Sequence, residues 1–147
     1  EFMRARAWRV GCWARLLDGD RANQILTDMF IEQGFDNLMT FQHVAGGGRM
    51  LQVDGSMATP GLVAEMLLQS HLGEIHLLPA LPKAWPKGSV QGLVARGGFW
   101  VDIEWNEGQL VRAVVRGPDG QKTPRIRVQG KKVDGKGDGR VTDIQSR

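Results

Sequence analysis

Tyrosine is absent from the 147 residues, cysteine occurs once and proline six times. The single Cys12 has no partner for an internal disulfide, and its apolar neighbourhood points to a buried thiol, which sets redox chemistry aside. No apolar run approaches the roughly 20 residues that span a bilayer, and the N-terminus lacks the apolar stretch a secretory signal needs. Membrane insertion is therefore not expected, and secretion is not signalled. One-signed charge blocks are also missing. The net charge is +3, but Arg4, Arg6, Arg9 and Arg15 are dispersed, and Lys131, Lys132, Lys136 and Arg140 interleave with Asp134, Asp138 and Asp143. A nucleic-acid footprint is a basic stripe with stacking aromatics, so no nucleic-acid partner is expected.

What remains is globular composition, 41% hydrophobic and 24% charged. The length suits about one domain, or part of one plus a small module. Twenty glycines and five tryptophans suggest turn-rich structure with bulky apolar anchors. Glu1-Phe2 ahead of Met3 has the look of an added pair, so the chain reads as a piece of something longer.

The first half has helical periodicity. Trp8, Val10, Cys12, Trp13, Leu16 and Leu17 spread round more than half of a helical wheel, which predicts a helix packed on more than one side. Asp18-Gly19 breaks it and Asp20 is the expected N-cap. Ala22, Ile25, Leu26, Met29 and Phe30 then form one stripe, completing a helical hairpin. The stretch 33–56 has no period and contains Gly46-Gly47-Gly48, which predicts a long loop. Thr59-Pro60 predicts the start of a third, mostly buried helix.

After His71 the pattern changes. Residues 75–81 read as extended, and Pro86 with Gly88 marks a boundary. Phe99, Val101, Ile103 and Trp105 alternate with Trp100, Asp102 and Glu104, Asn106-Glu107-Gly108 supplies a hairpin turn, and Leu110 to Arg116 is the return strand. Pro118-Asp119-Gly120 turns again, with a third strand at Ile126 and Val128. The fold class is α+β, helices followed by a small antiparallel β module.

Candidate chemistry is sparse. In Gln52-Val53-Asp54-Gly55-Ser56 the carboxylate of Asp54 precedes a rigid helix, where it either faces a cavity or makes an Asx-type turn with Gly55. His71, Glu74 and His76 would need one helix face to hold a metal, which Gly73 interrupts. Asp134, Asp138 and Gly139 occupy positions one, five and six of a calcium loop, but Lys136 and Gln145 stand where carboxylates are required. Gly46-Gly47-Gly48 lacks the Lys-Ser/Thr of a phosphate loop. Asp102 and Glu104 share a strand face, as ordinary polar-out alternation produces. No metal and no cofactor are expected.

Trp13-Ala14-Arg15-Leu16-Leu17-Asp18-Gly19-Asp20-Arg21-Ala22, Gln52-Val53-Asp54-Gly55, Ala64-Glu65-Met66-Leu67-Leu68-Gln69-Ser70-His71 and Gly73-Glu74-Ile75-His76-Leu77-Leu78-Pro79-Ala80-Leu81-Pro82 closely resemble the C-terminal end of glycoside hydrolase family 95. That family consists largely of bacterial α-L-fucosidases, with some α-L-galactosidases. The resemblance runs in order from Ala7 to about Val115. It implies that residues 1–78 are the last helices of an (α/α)6 catalytic toroid, and that residues 79–147 are a β-sandwich-like C-terminal domain with a mobile tail from about 130.

The resemblance further implies hydrolysis of terminal α-L-fucosyl or α-L-galactosyl residues with inversion, on a fucosylated oligosaccharide or glycan. Asp54 matches the aspartate that activates water, while the general acid lies upstream of this chain. Trp8 and Arg9 match a Trp-Lys pair, and with Gln52 and Ser56 they are the expected substrate contacts. Gly48-Arg49-Met50-Leu51 replaces the family's His-Pro-Pro-Phe and Ser56-Met57-Ala58-Thr59 its Asn-Phe-Gly-Gly, which bears on sugar preference. The expected partner is the missing N-terminal part of the toroid, and a periplasmic or extracellular location is expected of a bacterial parent. Inversion needs two carboxyl groups, so the chain alone is expected to be inactive. The alternative is a non-catalytic carbohydrate-binding or scaffold piece, for which Trp100 is the one exposed-face aromatic.

Overall fold

The structure, a computed structural model, describes residues 3–122, 124–133, 136–137 and 141–145. It is α+β, with three helices and several sheets among the described residues.

Helix α1 (Met3–Arg15) and helix α2 (Gly19–Gln33) form the expected hairpin. The chain turns where Leu17 adopts φ 65°. Asp18, not Asp20, is the N-cap, its carboxylate accepting from the Arg21 N–H at 3.0 Å. Asp20 instead accepts from the Lys83 N–H at 2.7 Å, tying α2 to the segment that leads into the β strands. Ala22, Ile25, Leu26 and Met29 bury the predicted stripe. Helix α1 touches both α2 and α3 (Val53–Leu67), burying Ala7, Val10 and Ala14. Cys12 is exposed, contrary to expectation. At 100° per residue it lies about 200° from both Val10 and Ala14, on the opposite side of the helix.

Two sequence expectations fail between residues 33 and 60. The long loop is a two-stranded antiparallel ribbon, β1 (Phe41–His43) and β2 (Arg49–Leu51), turned by Gly46 and Gly47 at positive φ. Helix α3 starts at Val53, one turn and a half before Thr59-Pro60, so Pro60 lies inside the helix. Thr59 does not cap; its hydroxyl donates to the Gly55 carbonyl at 2.9 Å. That extra bond supports the turn in which Pro60 has no N–H to give. Helix α3 is also less covered than expected, with Gly55, Met66 and Leu67 its buried residues.

The remaining strands form two sheets. One has the order β10-β11-β7-β6-β5, from β5 (Gly88–Ala95), β6 (Phe99–Asn106), β7 (Gln109–Arg116), β10 (Lys136–Gly137) and β11 (Val141–Gln145). The other has the order β3-β4-β8-β9, from β3 (Leu68–Gln69), β4 (Glu74–Leu77), β8 (Arg125–Val128) and β9 (Lys131–Val133). The β6–β7 hairpin is the one predicted, with Glu107 and Gly108 at φ 51° and 71°. Strand β8 does not extend that meander. It pairs parallel with β4, because the intervening meander acts as the long crossover a parallel pair requires. The tail expected to be mobile contributes β11, which pairs with β7 and buries Ile144 and Thr142.

Inner faces of both sheets share one core: Leu68, Ile75, Leu77 and Ile126 from one, Val101, Ile103, Trp105, Val115 and Ile144 from the other. A second core holds α1, α2, Met66 and Ala80. Val63 and Trp85 pack against both, and the buried Gln69 donates to the Ala14 carbonyl at 2.9 Å. The helices and sheets are thus joined by apolar and polar contacts.

Candidate functional site

The described geometry around Asp54 is built by Thr40, Gln52 and Ser56. Thr40 is fully buried at the entrance to β1. Its N–H donates to Ser56 Oγ at 2.9 Å and its hydroxyl to the Gln52 carbonyl at 3.0 Å. Ser56 Oγ donates to that same carbonyl at 3.0 Å and lies 2.9 Å from Thr40 Oγ1. The Gln52 N–H closes the ring by donating to the Thr40 carbonyl at 2.8 Å. This clip fastens the β ribbon to the first turn of α3. The Gln52 carbonyl, which also accepts the first helical bond from the Ser56 N–H, gathers both hydroxyls, while Ser56 Oγ gives the buried Thr40 N–H its acceptor.

Asp54 sits in that first turn and is exposed. Its Oδ1 accepts from the Gly55 N–H at 3.0 Å. Among the described residues no cation pairs with it and no hydrogen bond engages its other oxygen. Gln52, half-buried beside it, donates from Nε2 to Gln42 Oε1 at 2.9 Å, while its own Oε1 is buried without a partner.

Trp8 and Arg9 are exposed on α1, Trp8 at 74%. Their level relative to Asp54 follows from two contacts between α1 and α3. A Cβ placed on Gly11 would lie 3.1 Å from Leu62 Cδ2, and Arg15 binds Glu65 at 2.6 Å. The helices therefore run the same way. Trp8 is then about 4.5 Å before the Gly11–Leu62 level and Asp54 about 12 Å before it. Both lie towards the N-terminal end of the pair. Ser56 is brought to Asp54 too, but as part of the clip, its hydroxyl engaged by Thr40 and Gln52. Thr40 and Gln42 were missed by sequence reasoning; a threonine and a serine sixteen positions apart carry no signal until the ribbon is known.

The other candidates have structural roles. Glu74 accepts from Arg127 Nε at 2.6 Å, and that hydrogen bond holds its carboxyl below the usual range. His76 Nε2 accepts from the Gly130 N–H at 2.9 Å, so it is a neutral ring; burial, with Arg127 nearby, depresses its basicity. With His71 they line a cavity of about 230 Å³, but no group of three or more metal-ligating side chains occurs among the described residues. Asp102 is bound by Arg116 at 2.6 Å, which lowers its carboxyl pKa, as does the Gly92 N–H. Asp134, Asp138 and Gly139 lie outside the described residues. No helix among those described is long and apolar enough to cross a membrane.

Residues 3–67 match the model of the glycosyl hydrolase family 95 catalytic domain. Residues 69–146, more than half of the chain, match that of the glycoside hydrolase family 95 C-terminal domain. "Alpha-L-fucosidase 2" of Arabidopsis thaliana is 37% identical over 111 residues, which cover 71% of this chain and 13% of that protein. "Probable alpha-fucosidase A" of Aspergillus niger is 33% identical over 122 residues (73% and 14%). The protein of the same description from Aspergillus oryzae is 32% identical over 119 residues (72% and 16%). The matched region is thus a small part of the length of these relatives.

Proposed function

Because the chain belongs to glycoside hydrolase family 95, we propose that it is the C-terminal part of an inverting hydrolase that cleaves terminal α-L-fucosyl residues from glycans. Asp54 is its contribution to the chemistry. The observation that carries this reading is an exposed carboxylate with one oxygen unengaged, held on a helix end by a buried hydrogen-bonded clip. A water-activating base needs both features: a free lone pair and a fixed position. Trp8, exposed at 74%, is suited to an apolar sugar face.

Inversion places a water between the base and the anomeric carbon, with an acid about 6.5–9.5 Å from the base. The other carboxylate on α3, Glu65, is at the far end of the helix and bound to Arg15; the family resemblance assigns the acid to residues outside this chain. Parallel α1 and α3, with α2 returning along the other side of α1, follow the pattern of a ring of helical hairpins. Leu16, Ile31 and Met57, exposed at 66–76%, form the faces on which the remaining helices of an (α/α)6 toroid would pack. We place the junction with the β-sandwich-like domain at Leu67–Leu68, where α3 ends and β3 begins.

The test is hydrolysis of 4-nitrophenyl α-L-fucoside and 2′-fucosyllactose by the purified chain. No fucose release is expected; turnover abolished by Asp54→Asn would show that the chain carries its own acid and overturn the division of labour.

A further inference from the structure

We propose that the outer face of the five-stranded sheet binds a neutral, hydroxyl-rich glycan chain, with Trp100 as the stacking surface and Arg116 as the donor fixed beside it. This site is separate from Asp54, which lies on α3.

Strand β6 sends Phe99, Val101, Ile103 and Trp105 into the core, and Trp100, Asp102 and Glu104 outward. A tryptophan at an outward position is 56% exposed. It does not stand alone. Pairing registers place Val94 and Arg116 directly across from Trp100, and Val141 across from Arg116. Val94 is 60% and Val141 41% exposed. The row Val94–Trp100–Arg116–Val141 crosses four strands, or about 14 Å, which accommodates more than one pyranose ring.

The row is held in shape. Strand β5 is bulged between Val90 and Leu93, with Gly92 at φ 75°. The Cε3–Cζ3 side of the Trp100 ring lies by Gly92, 3.8–3.9 Å from where a Cβ would stand. One oxygen of Asp102 accepts from the Gly92 N–H at 2.9 Å and the other from Arg116 Nη2 at 2.6 Å. The carboxylate therefore fixes both the bulge and the guanidinium, leaving Arg116 further N–H groups for a ligand. Beyond the row, an open groove of about 980 Å³ continues over the same face, lined by Gln91, Asp102, Glu104 and Arg112 among others.

Charge selects the ligand class. Among the described side chains of this face, Lys87, Arg112 and Arg116 are matched by Asp102, Glu104 and Asp143, with Arg112 bound to Asp143 at 2.7 Å. A balanced, ion-paired face presents no net field to draw in a polyanion, and its apolar groups are too interrupted by ion pairs for a lipid surface. An aromatic ring flanked by planar hydrogen-bonding side chains suits a sugar, which offers an apolar C–H face and a rim of hydroxyls.

Native affinity electrophoresis of the chain tests this, in gels containing neutral galactomannan or hydroxyethylcellulose, with polygalacturonate as the charged comparison. A neutral polysaccharide should retard the wild type. Trp100→Ala should weaken retention at least tenfold, Trp100→Phe should retain part of it, and Arg116→Gln should weaken it severalfold. Asp54→Asn should be retarded like the wild type, which separates this site from the proposed catalytic one. Circular dichroism of each variant should match the wild type. Absence of retardation in both neutral gels, retardation by polygalacturonate alone, or full retention by both Trp100→Ala and Arg116→Gln would overturn the proposal. So would self-association that shields Trp100 from acrylamide quenching, since the face would then belong to a second copy of the chain.

Discussion

The Ser56 hydroxyl is the acceptor for the N–H of a fully buried Thr40. Removing it with Ser56→Ala leaves that N–H without a partner, at a cost of about 2 kcal/mol. In a chain of this size that is roughly 6 °C in Tm. Asp54→Asn should behave differently. The asparagine oxygen still accepts from the Gly55 N–H, and only the favourable charge at the helix N-terminus is lost, about 0.3–1 kcal/mol. Differential scanning calorimetry reads the two shifts. Hydrogen exchange localises them, since 2 kcal/mol corresponds to about thirtyfold faster exchange of the Thr40 amide where opening is local. The reasoning fails if Ser56→Ala leaves Tm and Thr40 exchange unchanged, or if Asp54→Asn destabilises more than Ser56→Ala.

Three further outcomes follow from the same geometry. Asp20, Glu74, Asp102 and Asp143 are held below their ordinary range by hydrogen bonds from Lys83, Arg127, Arg116 and Arg112. Depressed carboxyl pKa values give stability that is complete above about pH 5 and is lost as pH falls through the folded-state values; urea midpoints from pH 6 to 3 should fall, and less steeply in Glu74→Gln. A Cβ on Gly19 would run into the Ala80 carbonyl oxygen, where the helices join the β strands. Gly19→Ala should therefore destabilise by about 2–3 kcal/mol by forcing backbone apart, measured by urea unfolding. Trp105 is buried and its Nε1–H donates to the Trp85 carbonyl at 2.9 Å, so Trp105→Ala should remove about 3–5 kcal/mol. A Tm close to the wild type in that variant would place the core elsewhere.

Much of the fold was legible where one period persists. The α2 stripe and the Phe99–Trp105 alternation each bury one face, so pattern and packing agree. Strand β5 escaped because its bulge at Gly92 breaks the alternation, and β9 to β11 because they are short and polar. The start of α3 was misplaced because Thr59-Pro60 is a good local signal that loses to a tertiary one: Thr40, sixteen residues before Ser56, completes the first turn instead. The same long-range contact explains the site. Asp54 was visible as a carboxylate beside glycine. Its support by Thr40 and the empty Gln52 amide became visible only after β1 and β2 folded back on the helix.

The central claim is that Asp54 acts on water while its support is structural, and it is tested most directly by kcat for fucoside hydrolysis in the longer enzyme carrying these residues. Replacement of a positioned base removes about 10²–10⁴-fold of rate. Asp54→Asn should lower kcat by that factor while KM and Tm stay near the wild type. A variant that retains wild-type kcat, or whose loss of activity is matched by loss of the fold, would contradict the account.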